Sequence, residues 1–167
     1  MKNIKTFIFA ISASVLLYSG VFAQTLISVD GSKVDLGAQK GKVVILAVGA
    51  SWLPLSAKQA DFTNQLAKKY AGRDVAVFFV ATDSTAARSK NFASDADVKK
   101  FAATNKLSVP VLRDSDGAAT LSKFGIDQIP SFVIIDRAGR QVGQPFGGID
   151  PKYDIIAPIS SAVDKLL

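Results

Sequence analysis

The residues able to do chemistry in this chain are few, and an absence limits them: its 167 residues include no cysteine and no histidine. Thiol-disulfide exchange needs a thiolate to attack a disulfide sulfur, and thiol-based peroxide reduction needs the same group, so neither reaction has a nucleophile here. Ser56, at the end of Trp52-Leu53-Pro54-Leu55-Ser56, offers a hydroxyl. A serine nucleophile needs a neighbouring base, and without imidazole only Lys58 or a carboxylate is left for that role. The expectation is instead that Ser56 lies in the first turn of a helix and satisfies a backbone N–H there. Asp114 and Asp116 are a second candidate, as a carboxylate pair. The run Asp114-Ser115-Asp116-Gly117 partly matches a calcium loop, but the remaining ligand positions and the closing glutamate are missing, so it reads as a turn. With neither imidazole nor thiolate, only carboxylates and carbonyls are left to meet a cation, and no metal site and no cofactor is expected.

These residues must be placed by the elements around them. Val43 to Val48 is a continuous apolar run rich in β-branched residues and reads as a buried central strand. Pro54 can open a helix in its first turn, where a missing N–H costs nothing, and Phe62, Leu66 and Tyr70 then recur as one apolar stripe that ends at Ala71-Gly72. Val75 to Val80 is a second buried strand. Upstream, Gln24 to Gly41 is strand-like and turn-rich, with Asp30-Gly31 as a hairpin signal. Downstream, Asp95 is expected to cap a helix carrying Val98, Phe101 and Ala102, and Val109 to Leu112 forms a short strand entered through Pro110. A short helix over Ala119 to Phe124 ends at Gly125, a strand follows over Ser131 to Asp136, and Ala138-Gly139 turns the chain into another strand, Gln141 to Phe146. The last helix is expected from about Pro151, with Ile155, Ile159, Val163 and Leu166 on one side; Pro158 inside it demands a kink or a late start.

A composition of 49% hydrophobic and 20% charged residues suits one packed domain, assigned to residues 24–167. Residues 1–23 have a separate meaning. Lys2 and Lys5 precede an apolar run from Phe7 to Leu17, and Val21-Phe22-Ala23 places small residues where a signal peptidase reads them. The apolar run is shorter than the roughly 20 residues that span a bilayer, so a cleaved export signal is expected, with no stable membrane anchor afterwards and a periplasmic or secreted product. Removing Lys2 and Lys5 takes the net charge from +6 to +4. The remaining cations, among them Lys68-Lys69, Lys99-Lys100 and Lys106, are scattered along solvated helix faces, which argues against a nucleic-acid partner. Exported domains often rely on disulfides; this one must rely on its core.

Two segments carry a family resemblance. Gly41-Lys42-Val43-Val44-Ile45-Leu46-Ala47-Val48-Gly49-Ala50-Ser51-Trp52-Leu53-Pro54-Leu55-Ser56 resembles the start of thioredoxin-like proteins, above all the exported TlpA/ResA-like redoxin branch, whose strand ends in Ala-Ser-Trp-Cys-x-x-Cys. The segment Gly125 to Gly139, with Ile129-Pro130-Ser131, is similar to that family's cis-proline strand and hairpin. With the order of elements, the resemblance covers residues 25–167. It implies an α/β fold, a thioredoxin-like three-layer α/β/α sandwich with a central mixed sheet and an N-terminal β extension. It also places Leu53 and Ser56 at the family's two cysteine positions and Ala47 at the buried acid or amide beneath them, leaving no catalytic residue. What it preserves is a shallow groove for an extended segment, made by Trp52, Leu53, Pro54, Leu55, Ile129 and Pro130, with the backbone of Ile129 presented if Pro130 is cis. The leading expectation is a redox-inactive exported protein that holds a peptide or partner protein of the envelope noncovalently in that groove. Two alternatives stand beside it: an oxidoreductase component whose cysteines come from a partner chain, and a structural module in which Leu53 and Leu55 fold into the core.

Overall fold

A computed structural model describes residues 24–150 and 152–167. The expected export signal, residues 1–23, lies outside the described residues, as does Pro151.

The central strand, β3 (Val43–Gly49), is buried along all seven residues. Its side chains alternate between two faces: Val43, Ile45 and Ala47 enter one core cluster, while Val44, Leu46 and Val48 enter the other. That is why the sequence shows a continuous apolar run rather than alternation, since both faces of the strand are covered. β4 (Val75–Ala81) repeats the arrangement, as does β6 (Ser131–Ile135). With β1 (Thr25–Ser28), β2 (Lys33–Asp35) and β5 (Val111–Arg113) they form one mixed six-stranded sheet in the order β2-β1-β5-β4-β3-β6. β3, β4 and β5 are parallel, and β6 and β1 run antiparallel to their neighbours. The carboxyl ends of β3, β4 and β5 and the first residue of β6 therefore meet along one edge of the sheet.

Helices α1 (Ser56–Lys69), α2 (Asp95–Thr104) and α4 (Ile156–Asp164) cover one face; the short α3 (Leu121–Phe124), with Leu26, Leu36 and Ile126, covers the other. The Phe62, Leu66, Tyr70 stripe is buried as expected. The Tyr70 hydroxyl reaches Asp164 Oδ1 at 3.1 Å and the Ser160 carbonyl at 3.3 Å, tying α1 to α4, and burial pushes its phenol up. Gln59 lies on the same stripe and is fully buried. Its Nε2 donates to the carbonyls of Val48 (3.1 Å) and Ser131 (3.0 Å), so one side chain joins α1, the end of β3 and the start of β6.

Four boundaries differ from the sequence expectation, each for a local reason. The cap of α2 is Ser94, not Asp95: Ser94 Oγ accepts the Asp97 N–H while the Asp97 carboxylate accepts the Ser94 N–H, and Asp95 turns instead to Arg113, 3.0 Å from its Nε. β5 begins after Pro110, which has no N–H for the ladder and contributes its carbonyl to Phe79. The stretch 141–146 is not a strand but two separate bridges, Gln141 to Ile135 and Phe146 to Phe132, with Gly143 at φ +67° between them. α4 starts late, at Ile156, where the Asp154 carboxylate takes the N–H groups of Ile156 and Ala157; Pro158 then falls in the first turn, where it has no hydrogen bond to break.

Two outcomes follow. The Ser94 hydroxyl, and then the Ser94 N–H, hold the Asp97 carboxyl below its usual range. A lowered folded pKa stabilises above the unfolded value of about 3.9 and is lost as pH falls through the folded value. Ser94→Ala should lower the thermal midpoint by about 2–5 °C at pH 7, read by circular dichroism, with the gap from wild type narrowing below pH of about 3.9. At the end of β3, a methyl group on Gly49 would collide with Gln59 Oε1, and Gln59 cannot retreat without releasing its two carbonyls. Gly49→Ala should cost about 1–3 kcal/mol in urea unfolding and much less in a Gln59→Ala background; equal costs in both would show that Gln59 does not set the limit.

Candidate functional site

Where β3 ends, the chain leaves the sheet through Ala50 and Ser51 and enters α1 at Ser56. Ser51 is fastened from the side by Asp83, a fully buried residue just beyond β4. Its N–H lies 3.0 Å from each Asp83 carboxylate oxygen, and its hydroxyl donates to Oδ1 at 2.6 Å. Arg113, at the end of β5, places Nη1 3.9 Å from the same carboxylate. The Thr82 N–H and hydroxyl both donate to the Gly49 carbonyl, at 2.7 and 3.0 Å. The loop carrying Trp52 is thus tied to the end of β4 and, through Arg113 and Asp83, to the end of β5.

Ser56 is fully buried, and its hydroxyl donates to the Ala50 carbonyl. This corrects the expectation that it accepts a backbone N–H: the hydroxyl closes the loop below Trp52 by giving its proton away. No base faces it. Lys58, the candidate named for that role, pairs with Asp61 at 3.0 Å, where it holds the Asp61 carboxyl below its usual range, and its ammonium lies 4.5 Å from the centre of the Phe62 ring. Asp114 and Asp116 do not form a catalytic pair either. Asp114 accepts the N–H groups of Ala119 and Thr120 and the Thr120 hydroxyl, and Asp116 takes the hydroxyls of Ser84 and Ser115. Both are spent on the turn. Ala47 lies in register between Phe79 and Phe132 and is fully buried, so the position beneath the site is wholly apolar.

The groove residues are placed unequally. Trp52 is 49% exposed and Pro54 is exposed, whereas Leu53 and Leu55 are half-buried and belong to neither core cluster. The Ile129-Pro130 peptide is cis and Pro130 is buried. The Ile129 side chain, expected to add to the apolar surface around Trp52, is half-buried and packs against the α3-side core cluster. Its backbone behaves differently. Among the described residues neither its N–H nor its C=O has a hydrogen-bond partner, although Gln128 and Ser131 on either side are engaged.

Two cavities open on the same edge of the sheet. One, of about 320 Å³, lies beyond the cis-proline turn and is lined by Asp127, Gln128, Ser131, Gln144 and Gly147 among others. The other, of about 220 Å³, lies between Phe92, Ser94, Asp95 and Arg113. Asp83, Gln59 and both cavities escaped the sequence reading. Only Gln59 left a signal, because its position three residues before Phe62 puts it on the buried stripe of α1.

Comparison with known proteins agrees with this geometry. The Redoxin family model matches residues 13–152. The chain is 27% identical over 144 residues to the thiol-disulfide oxidoreductase ResA of Bacillus thuringiensis strain Al Hakam, and equally to ResA of Bacillus anthracis, covering 78% of each chain. Among solved structures it is similar to the exposed lipoprotein thioredoxin Etrx1 of Streptococcus pneumoniae strain TIGR4, with a TM-score of 0.69 and 29% identity over 86% of this chain and 99% of that one. A secreted disulfide oxidoreductase of Mycobacterium tuberculosis, with a TM-score of 0.66 and 20% identity over 86% and 96% of the two chains, shares the fold. With its thioredoxin-like sheet, its cis-proline turn and no cysteine in its sequence, the chain belongs to the Redoxin family.

Proposed function

We propose that this protein is a redox-inactive, exported member of its family that binds an extended peptide, or an extended segment of a partner protein, noncovalently at the former active-site groove. The observation that carries the reading is the pair of unpartnered backbone groups on Ile129, next to cis-Pro130. A free N–H and C=O on one residue can be completed by an added strand, in the way that peptides extend exposed backbone elsewhere. Trp52, half-exposed, and Leu53 and Leu55, outside both cores, supply apolar surface for the alternate side chains of such a segment. The helix N-terminus that would stabilise a thiolate offers an alkyl group at Leu53 and a committed hydroxyl at Ser56. Export rests on Lys2, Lys5, the apolar run that follows and the small residues before Gln24.

Two measurements test this. In an insulin-reduction assay with dithiothreitol, the protein should add nothing to the reagent-only rate; turnover above that rate would overturn the redox-inactive reading. Binding to a positional-scanning library of extended decapeptides should weaken about tenfold or more in Leu53→Asp and in Trp52→Asp, with the circular dichroism spectrum unchanged. Identical binding profiles for both variants and wild type would remove the groove from the proposal.

A further inference from the structure

The cavity beyond the cis-proline turn has a chemistry that the groove alone does not explain. Its lining holds a carboxylate, Asp127, two carboxamides, Gln128 and Gln144, and no lysine or arginine, in a chain whose net charge is +6. None of these three side chains has a hydrogen bond or ion pair of its own among the described residues. The other cavity differs in this respect, because its two charged residues, Arg113 and Asp95, are paired with each other, and Arg113 also lies near Asp83.

The polar wall is also held in place. The Ser131 hydroxyl donates to the Gln128 carbonyl at 2.6 Å, fixing the backbone from which the Gln128 side chain leaves. That side chain lies against Gly147. A Cβ on Gly147 would meet Gln128 Nε2 at 2.9 Å and Ser131 Oγ at 3.0 Å. Gly147 does not have the positive φ that calls for glycine, so what glycine provides here is room for Gln128. At about 320 Å³ the cavity stands at the small end of ligand sites, a size suited to one long side chain and not to a cofactor. Two residues of its lining, Gln128 and Ser131, flank Ile129-Pro130 along the chain.

We propose that this cavity receives a lysine or arginine side chain of the segment that lies on the Ile129 backbone, with its cationic head on the Asp127 carboxylate and the carbonyl oxygens of Gln128 and Gln144. The proposal rests on the peptide-binding reading and adds a sequence preference to it. The cationic head supplies the donors that one carboxylate and two amide oxygens can accept, whereas an acidic side chain would bring a like charge to Asp127. Its long stem can reach the cavity from a backbone paired outside it.

Two arms test the proposal on the full chain. In the first, N-acetyl-lysine methylamide is titrated while the side-chain amide signals of Gln128 and Gln144 are followed by NMR. Both should shift and saturate, and the corresponding glutamate amide should leave them in place. Unmoved signals, or equal shifts with both compounds, would overturn the cavity's selectivity. In the second, decapeptide probes drawn from the binding library carry Lys, Gln or Glu at the position next to the centre. The Lys probe should bind about three- to fivefold tighter than the Gln probe, and the advantage should vanish in Asp127→Asn and fade as salt rises. Equal affinity for the Lys and Gln probes would end this proposal and leave the groove reading standing. If no peptide in the library binds wild type, the groove reading fails, and this proposal with it.

Discussion

One buried carboxamide holds the site together. Gln59 reaches from the second turn of α1 to two carbonyls, on Val48 and Ser131, that belong to adjacent strands. It is the side chain that links the helix entrance to both the end of the central strand and the start of the strand after the cis-proline turn. With it, the three pieces that form the groove become one rigid corner, and a glycine at position 49 is required so that the helix can approach closely enough. The Asp83 carboxylate acts on the same corner from the opposite side by fixing Ser51. Neither residue is chemically reactive in this arrangement. Each completes backbone groups that would otherwise be buried without partners, and that need exists whether or not the site carries sulfur.

These ties hold the shape of the site in a chain that has no cysteine. Leu53 is half-buried, Ser56 turns its hydroxyl into the loop, and Ala47 completes an apolar row with Phe79 and Phe132. A carboxylate at position 47 would be fully buried beside two phenylalanines, a desolvation cost that alanine avoids.

Much of this was legible in the sequence, because the informative elements announce themselves locally. β3 is a run of apolar residues that only a strand covered on both faces requires, and the stripe on α1 follows helical spacing through Phe62, Leu66 and Tyr70. Boundaries were less legible, since they are decided by which side chain wins a cap: Ser94 over Asp95 at α2, and Asp154 at α4. Gly143 breaks what reads as a strand over 141–146 into two bridges. The ties at the site were hidden for a different reason. Ser51 and Asp83 are 32 residues apart and Gln59 and Ser131 are 72 apart, so their meeting is a property of sheet order and register that no local pattern contains. The packing of the half-buried Ile129 side chain against the core was hidden in the same way, because an apolar residue beside a proline reads equally well as surface or as core.

That position has a consequence of its own. The Ile129 side chain is held by the core while its main chain is left unpaired, so the two halves of the residue answer to different demands. Any apolar residue that fills the space beneath the turn would offer a visitor the same N–H and C=O. The unpaired main-chain groups at this point are therefore set by the turn, and the side chain at position 129 answers only to the core cluster it packs against.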